Sequence, residues 1–365
     1  MAFIKLFTDV IKVQRDKYRS NKYCTNNNYE HAFYAEELIK FCRNSIYFSR
    51  YTAKHGDKVI KGKTFNAKHL EYVNMDVYNE LYKKVLNLYL SENFCEDMKF
   101  QKTDTVFIPN KQCKELLGRN VEYKSKQGIK ISFIVTSKNV PIATSAARGS
   151  DADCVIFNDT YNNLLIDPKT DKYRNNNRYK QYMLADAGYD SEEIATKLRE
   201  AGYTVYMGKN LRRAKKESFK IVPISDKDHS IYNKRVGIEN LNALIKQYGI
   251  LSHVYEKTIE SYMGLLLLVL SYIVYNKYLK IVHLKALDKI TREREKKRET
   301  EEIERKKNAR KLKRKLDGKQ RTKEKELRKQ QQTNKKTDNY NKPKQILNSV
   351  NIGKKVRYIS IIKNN

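Results

Sequence analysis

The sequence predicts an α/β protein: a mixed sheet flanked by helices, preceded by a helical region and followed by a basic low-complexity tail. Three observations predict it. Between residues 99 and 144, short runs rich in β-branched and aromatic residues follow one another with no helical pattern between them. From about residue 152 to 207, amphipathic and apolar runs alternate, as they do when helices cross over between strands. After Lys285, charged residues leave almost no apolar positions to bury.

In chain order, the region 1–95 reads as mostly helical. EHAFYAEELIKFCRNSIYFSRY (30–51) spaces Phe33, Leu38, Phe41, Ile46 and Phe48 near the helical period, and 76–92 repeats this with Val77, Leu81, Val85 and Leu88. A polar link at His55–Lys63 separates the two. This region is either a reader of DNA ends or a packing and dimerisation module, for no helix-turn-helix signature stands out.

The region 96–284 carries the sheet. Lys99–Ile108, Ile129–Thr136 and Val140–Thr144 are predicted strands, with Ser137–Asn139 as a hairpin turn. A helix near Ala152–Leu165 follows, then a polar loop, DPKTDKYRNNNRYK. Gln181–Ala185 is a short strand that ends at Asp186. Asp190–Ala201 is a helix with Asp190 as N-cap, Glu193 completing the capping box and Gly202 as its stop. Tyr203–Met207 is a strand, and Tyr232–Tyr248 and Glu256–Lys280 are helices. Three antiparallel strands followed by β–α alternation is the order of the ribonuclease H-like fold.

Ser261–Asn276 carries no charge, but its 16 residues fall short of the ~20 that span a bilayer. It is expected to be a core helix, with no membrane partner. Residues 285–345 form a highly charged helical or disordered segment. There Glu293–Lys297, Glu301–Arg305 and Glu302–Lys306 are favourable i,i+4 pairs, and apolar residues are too few for a coiled-coil seam. Residues 346–365 are a terminal tail.

Composition narrows the partners. Lys and Arg number 75 against 42 Asp and Glu, a net charge of +33, and residues 285–336 account for 23 of the basic and 10 of the acidic side chains. The rest is therefore basic too, which favours a polyanion such as DNA. The five scattered cysteines suit free thiols in a reducing compartment, and the N-terminus lacks the apolar run of a secretory signal. The six histidines show no zinc-ligand spacing, and no P-loop or dinucleotide signature appears.

Carboxylates carry the chemical signal. Metal-dependent phosphodiester chemistry needs several of them converging on one point, because Mg²⁺ prefers hard oxygen ligands. Asp104 lies inside the first strand of the sheet and Asp186 ends the fourth, so the two could meet. In DHSIYNKRVGIENLNALIKQYG, Tyr232, Arg235, Glu239 and Lys246 stand at offsets of 0, 3, 7 and 14. On an ideal helix these fall within about 60° of one another along ~20 Å. Ile238, Leu241, Leu244 and Ile245 form a separate apolar side. Read alone, Arg235 and Glu239 are equally an ordinary i,i+4 surface pair.

These residues resemble the DDE transposases of bacterial insertion sequences, in the group whose catalytic helix reads Y-x2-R-x3-E-x6-K. Tyr232, Arg235, Glu239 and Lys246 match that helix in register. Asp104-Thr105 is similar to the first-Asp segment, Tyr123–Ile142 to the hairpin that follows it, and ADAGYDS to the second-Asp segment. The resemblance covers about half the chain, from Asp104 to Lys280. It implies that Asp104, Asp186 and Glu239 hold two Mg²⁺ or Mn²⁺ ions. It implies that Tyr232, Arg235 and Lys246 touch transposon-end DNA, which a homodimer holds. The implied reaction is hydrolysis at the element's ends, then attack of the freed 3′-hydroxyl on target DNA.

The sequence also departs from the pattern. Many relatives carry His-Asp after the third strand. Here ARGSDADC offers Asp151 and Asp153, whose role stays open. There is no tryptophan to stack on a flipped base, and the large β-insertion between Asp186 and Glu239 is missing. The alternatives are a nuclease of the same fold without strand transfer and a DNA-binding protein with an inactive catalytic fold. Location follows the host: cytoplasmic at the nucleoid in a bacterium, nuclear or in a viral factory in a eukaryote.

Overall fold

The structure, a computed structural model of the chain, describes residues 2–18, 31–44, 46–110, 112–166, 180–208, 226–252 and 256–338. The polar loop expected at 167–180 lies almost wholly outside them, as does the terminal tail at 346–365. By its internal contacts the chain divides into two units, Met1–Ala286 and Leu287–Asn365.

The first unit begins with α1 (Ala2–Lys17) and α2 (His31–Cys42). Phe3, Phe7, Val10, Ile11 and Gln14 recur at helical spacing on the buried side of α1. The link expected at His55–Lys63 is instead largely a hairpin, β1 (Thr52–His55) paired with β2 (Lys58–Lys61). Its turn uses Gly56 at φ 59°, a conformation that glycine reaches without strain. The long helices α3 (Gly62–Asn74) and α4 (Val77–Asp97) follow.

The sheet is built from β3 (Phe100–Pro109), β4 (Gly118–Asn120), β5 (Lys126–Val135) and β6 (Pro141–Arg148). Helix α5 (Asp153–Asn162), strand β7 (Tyr182–Ala185), helix α6 (Glu192–Glu200) and strand β8 (Thr204–Met207) complete it. The order is β4-β5-β3-β7-β8, with β6 also on β5. β3, β5 and β6 pair antiparallel, whereas β3, β7 and β8 pair parallel. The mixed sheet expected from the sequence is therefore present.

Two local expectations change. Helix α6 starts later than predicted, and its N-cap is Ser191, whose Oγ accepts from the Ile194 N–H at 3.5 Å. Asp190 is displaced from that role because a 3₁₀ turn, Ala187–Tyr189, takes up the chain just after Asp186. The helix expected at Tyr232–Tyr248 is α7 (Asp226–Asn233), a 3₁₀ turn at Lys234–Gly237, and α8 (Ile238–Lys246). The backbone tightens where Gly237 approaches the sheet. A Cβ there would meet Lys102 Nζ at 3.1 Å and Asn139 Oδ1 at 3.3 Å. Ile238, Leu241 and Ile245 are buried as predicted.

A short helix, α9 (Gly249–Ser252), leads to α10 (Ile259–Asp338). The start of α10 contains a window long and apolar enough to cross a membrane by length and composition, half of it buried. Leu265, Leu268, Leu270 and Val274 there are fully enclosed, each worth about 2 kcal/mol of burial. Phe3 of α1 meets Tyr272 and Tyr275 at 5.4 Å, and Val73 and Tyr78 crowd Gly264. In this structure the segment is core, as the sequence suggested. Cys42, Cys113 and Cys154 are free thiols. In the second unit, the residues of α10 described from Leu287 onward are exposed. Glu302 and Lys306 pair there at 2.6 Å, an exposed i,i+4 contact worth about 0.3–0.5 kcal/mol.

A buried polar chain ties α3 to α10. His69 Nδ1 lies 2.8 Å from the Tyr78 hydroxyl, and its Nε2 lies 2.9 Å from Ser261 Oγ, which donates to Glu256. Burial lowers His69 to about 4, and burial with nearby Lys68 lowers His31 to about 4. The unfolded chain therefore takes up these protons first, and stability falls as pH drops from about 6.5 toward 4. Asp104 and Glu256, raised chiefly by burial, act in the opposite sense. The His69 contribution is isolated by comparing variants. His69→Gln is expected to lower the melting temperature at pH 7 yet reduce its further loss between pH 7 and 5 by about half. Parallel melting curves for the two proteins would contradict this.

Candidate active site

Register brings the first two carboxylates together. In the parallel pair β3–β7, Lys102 stands opposite Leu184, so Asp104 and Asp186 each lie two residues further on. Adjacent strands run ~4.8 Å apart. β7 ends at Ala185 while β3 continues to Pro109, so Asp104 lies beside the carboxyl end of β7. Such ends are where open α/β sheets hold their ligands.

The two acids have different surroundings. Asp104 is pushed up to about 6, first by burial and then by the charge of Asp186, with Arg235 and the Asn242 amide opposing. Asp186 caps the 3₁₀ turn that follows it, its Oδ1 accepting from the Gly188 N–H at 2.7 Å. A buried carboxyl beside a second one resists ionisation unless positive charge arrives. That donor set suits a divalent cation bound through hard oxygen ligands.

From α8, Asn242 Nδ2 donates to Asp104 Oδ2 at 2.9 Å. Arg235, in the 3₁₀ turn, acts on Asp104 electrostatically while its buried Nε has no hydrogen-bond partner. Its guanidinium lies 5.7 Å from the Tyr232 ring centre. The Tyr232 hydroxyl and the Ala187 N both lie within 2.9 Å of the point where Gly208 would carry a Cβ. Tyr232 thus sits over the turn that follows Asp186.

Glu239 and Lys246 are exposed. Among the described residues, no three His, Cys, Asp or Glu side chains are grouped closely enough to hold a metal ion. The structure therefore joins Asp104 with Asp186, and does not join Glu239 to them. The 3₁₀ turn explains part of this. Four residues at ~120° rather than ~100° rotate Tyr232 by roughly 80° relative to Glu239, and Arg235, inside the turn, by roughly 60°. The ordinary Arg235–Glu239 ion pair does not form either; no such contact occurs among the described residues.

Sequence reasoning missed Asn242. Its signal was its position, seven residues after Arg235 and therefore two turns along the same side of a helix. Asp153, whose role the sequence left open, also stands at this site. Its Oδ1 accepts from Thr105 Oγ1 and Lys130 Nζ, each at 2.8 Å. Lys130 also donates to the Asp151 carbonyl at 2.8 Å, and Asp151 Oδ2 accepts from the Arg148 N–H. Asp104 and Thr105 are neighbours on one strand and point to opposite faces. Hence α8 covers one side of the sheet and α5 the other.

Comparison with known proteins gives a family likeness for this region. Residues 102–274 match the family model described as transposase DDE domain, a segment that contains Asp104, Asp186 and Glu239. No curated protein matches the chain. Among solved structures it is similar to one described as a cryo-EM structure of the piggyBac transposase synaptic complex with hairpin DNA. That likeness has 12% identity and a TM-score of 0.42, covers 76% of this chain and 75% of that one, and is too distant to argue from. The family model spans the sheet, the aspartate pair and the helix beside it, so residues 102–274 of this chain are similar to the transposase DDE domain.

Proposed function

We propose that this metal-dependent transposase cuts double-stranded DNA at the ends of its element and joins the freed 3′-hydroxyls to target DNA, using a ribonuclease H-like core. One observation carries the reading: the parallel register that sets Asp104 beside Asp186, with an Arg235 Nε left unpaired next to them. Asp104 and Asp186 would hold divalent cations, Mg²⁺ or Mn²⁺ and two in number, with Glu239 as the third carboxylate. Such ions, when bound, activate the attacking oxygen and stabilise the leaving one.

The remaining roles belong to the chain's own side chains. The Asn242 amide holds Asp104 Oδ2 and so orients that carboxylate. The unpaired Arg235 Nε suits a phosphate oxygen, since a guanidinium on a rigid backbone binds phosphates directionally. Tyr232 and Lys246 extend the DNA contact on either side. Glu239 lies one turn before Asn242 and is exposed, so rotation of its side chain on DNA or metal binding would bring it toward the pair. Two DNA ends call for two copies, a homodimer in the DNA complex, with residues 1–95 reading the ends. The protein acts wherever its DNA lies, at the nucleoid of a bacterium or in a nucleus or viral factory.

The test uses purified protein and DNA carrying the sequences that flank its gene, searched for inverted repeats. Cleavage at the repeats in Mg²⁺, and joined products from pre-cut ends, are expected. Cleavage without joining would leave a nuclease, and binding without either would leave an inactive fold. Glu239→Gln is expected to lower cleavage by about a hundredfold or more at an unchanged melting temperature. A variant that cuts like the wild type would remove Glu239 from the site.

A further inference from the structure

The α5 side of the sheet carries an unusually polar cluster directly behind the aspartate pair. Lys130 and Ser132 on β5 and Thr103 and Thr105 on β3 share that face, because Thr105 pairs with Ser132 and side chains alternate along each strand. Asp153 begins α5 above them. One of its oxygens takes both the Thr105 hydroxyl and the Lys130 ammonium, a pair only 13% and 20% exposed on the Lys130 and Asp153 side chains.

The other oxygen points toward the second aspartate. A Cβ on Gly188 would meet Asp153 Oδ2 at 2.8 Å and Asp186 Oδ1 at 3.0 Å. The two carboxylates therefore close on the Gly188 backbone, and a Cβ there would require at least one of them to move. Asp153 thus touches the residue that follows Asp104 and the turn that follows Asp186. It bridges the two chain segments that must stay in register for the acids to face each other.

We propose that Asp153 is a positioning residue for the Asp104–Asp186 pair: clamped by Thr105 and Lys130, it fixes the Asp104 strand against the Gly188 turn. The inference rests on the reading of that pair as the cation-binding centre. Lys130 offsets the charge of Asp153, so the clamp adds no uncompensated negative charge behind the centre. The clamp also accounts for a threonine after Asp104, where valine of the same shape would lose the bond.

The test measures cation binding directly, by titrating Mn²⁺ into the full-length protein and following free Mn²⁺ by electron paramagnetic resonance. Asp153→Ala is expected to weaken Mn²⁺ binding about tenfold, in the range seen when a group supporting a metal ligand is lost. The Mg²⁺ concentration for half-maximal end cleavage should rise by a similar factor. Asp153→Asn keeps an oxygen for Thr105 and Lys130 and is expected to stay within about threefold of wild type. Thr105→Val, which deletes a single bond, provides a milder variant should Asp153→Ala not fold, and is expected to weaken Mn²⁺ binding about threefold. Gly188→Ala should weaken it as well, by driving the two carboxylates apart. Wild-type Mn²⁺ affinity in folded Asp153→Ala or Thr105→Val would overturn the proposal. So would equal losses in the Ala and Asn variants, since conservative rescue is what separates positioning from bulk stability. Asp186→Asn in the same titration separates the two readings. Unchanged Mn²⁺ binding there would overturn the cation centre itself, and the clamp with it.

Discussion

Asp104→Asn and Asp186→Asn are each expected to reduce metal-dependent end cleavage by about a thousandfold or more, which corresponds to roughly 4 kcal/mol in the barrier. Asparagine keeps the shape and one acceptor oxygen but removes the charge that a divalent cation requires. The accompanying stability change has the opposite sign to a folding defect. In the metal-free protein, burial and the neighbouring Asp186 raise Asp104 to about 6 from 3.8. A carboxyl raised in the folded state opposes folding at pH 7, and that opposition fades as pH falls through about 6. Asp104→Asn removes it, so this variant should be more stable than wild type by on the order of 2 kcal/mol. Cleavage assays and thermal melts of the same preparation check both halves. An inactive variant that is also much less stable would point to a structural role for Asp104.

Gly62→Ala is expected to produce the largest loss of stability among single-methyl additions. The added Cβ would fall 1.4 Å from the Phe48 carbonyl oxygen, 2.5 Å from its carbon and 2.9 Å from the Tyr51 oxygen. All three are backbone atoms, so no side-chain rotation relieves the clash, and the start of α3 must move off the 3₁₀ turn Phe48–Arg50. The displacement spreads, because the Phe48 ring stacks on Phe41 at 4.0 Å and on His69 at 5.4 Å. A cost of about 3 kcal/mol or more is expected, with a melting temperature lower by roughly 5–10 °C. Gly318→Ala supplies the contrast. Nothing lies within 4 Å of that Cβ on an exposed helix, and the change should stabilise the helix locally by about 0.5–1 kcal/mol. Equal effects at the two glycines would contradict the packing described for Gly62.

Much of the fold was legible because local pattern and tertiary packing agree. The strands at 100–109 and 141–148 and the helix at 153–162 follow from β-branched runs and amphipathic spacing. Asp186 was legible too, since a short apolar strand ending in Asp-Ala-Gly leaves the sheet sharply. What resisted reading depends on contacts distant in sequence. The hairpin at 52–61 hides in a polar stretch whose β alternation is only two residues deep. The 3₁₀ turn at Lys234–Gly237 arises where the backbone meets Lys102 and Asn139, neither of which is near it in the chain. That turn also undoes the simple helical wheel, so Tyr232 and Arg235 face the aspartates while Glu239 turns to solvent. Asn242 and Asp153 carry no signature of their own type. An asparagine in a helix and an aspartate at a helix start have ordinary explanations, and only their partners, 138 and 48 residues away, reveal otherwise.

The most direct test is to crystallise the protein with its end DNA in Mn²⁺ and map the metal by anomalous scattering. The expected result is manganese bound between Asp104 and Asp186, with Glu239 turned inward to join them and Arg235 on a DNA phosphate. Manganese bound elsewhere, or DNA seated away from these two aspartates, would contradict the account.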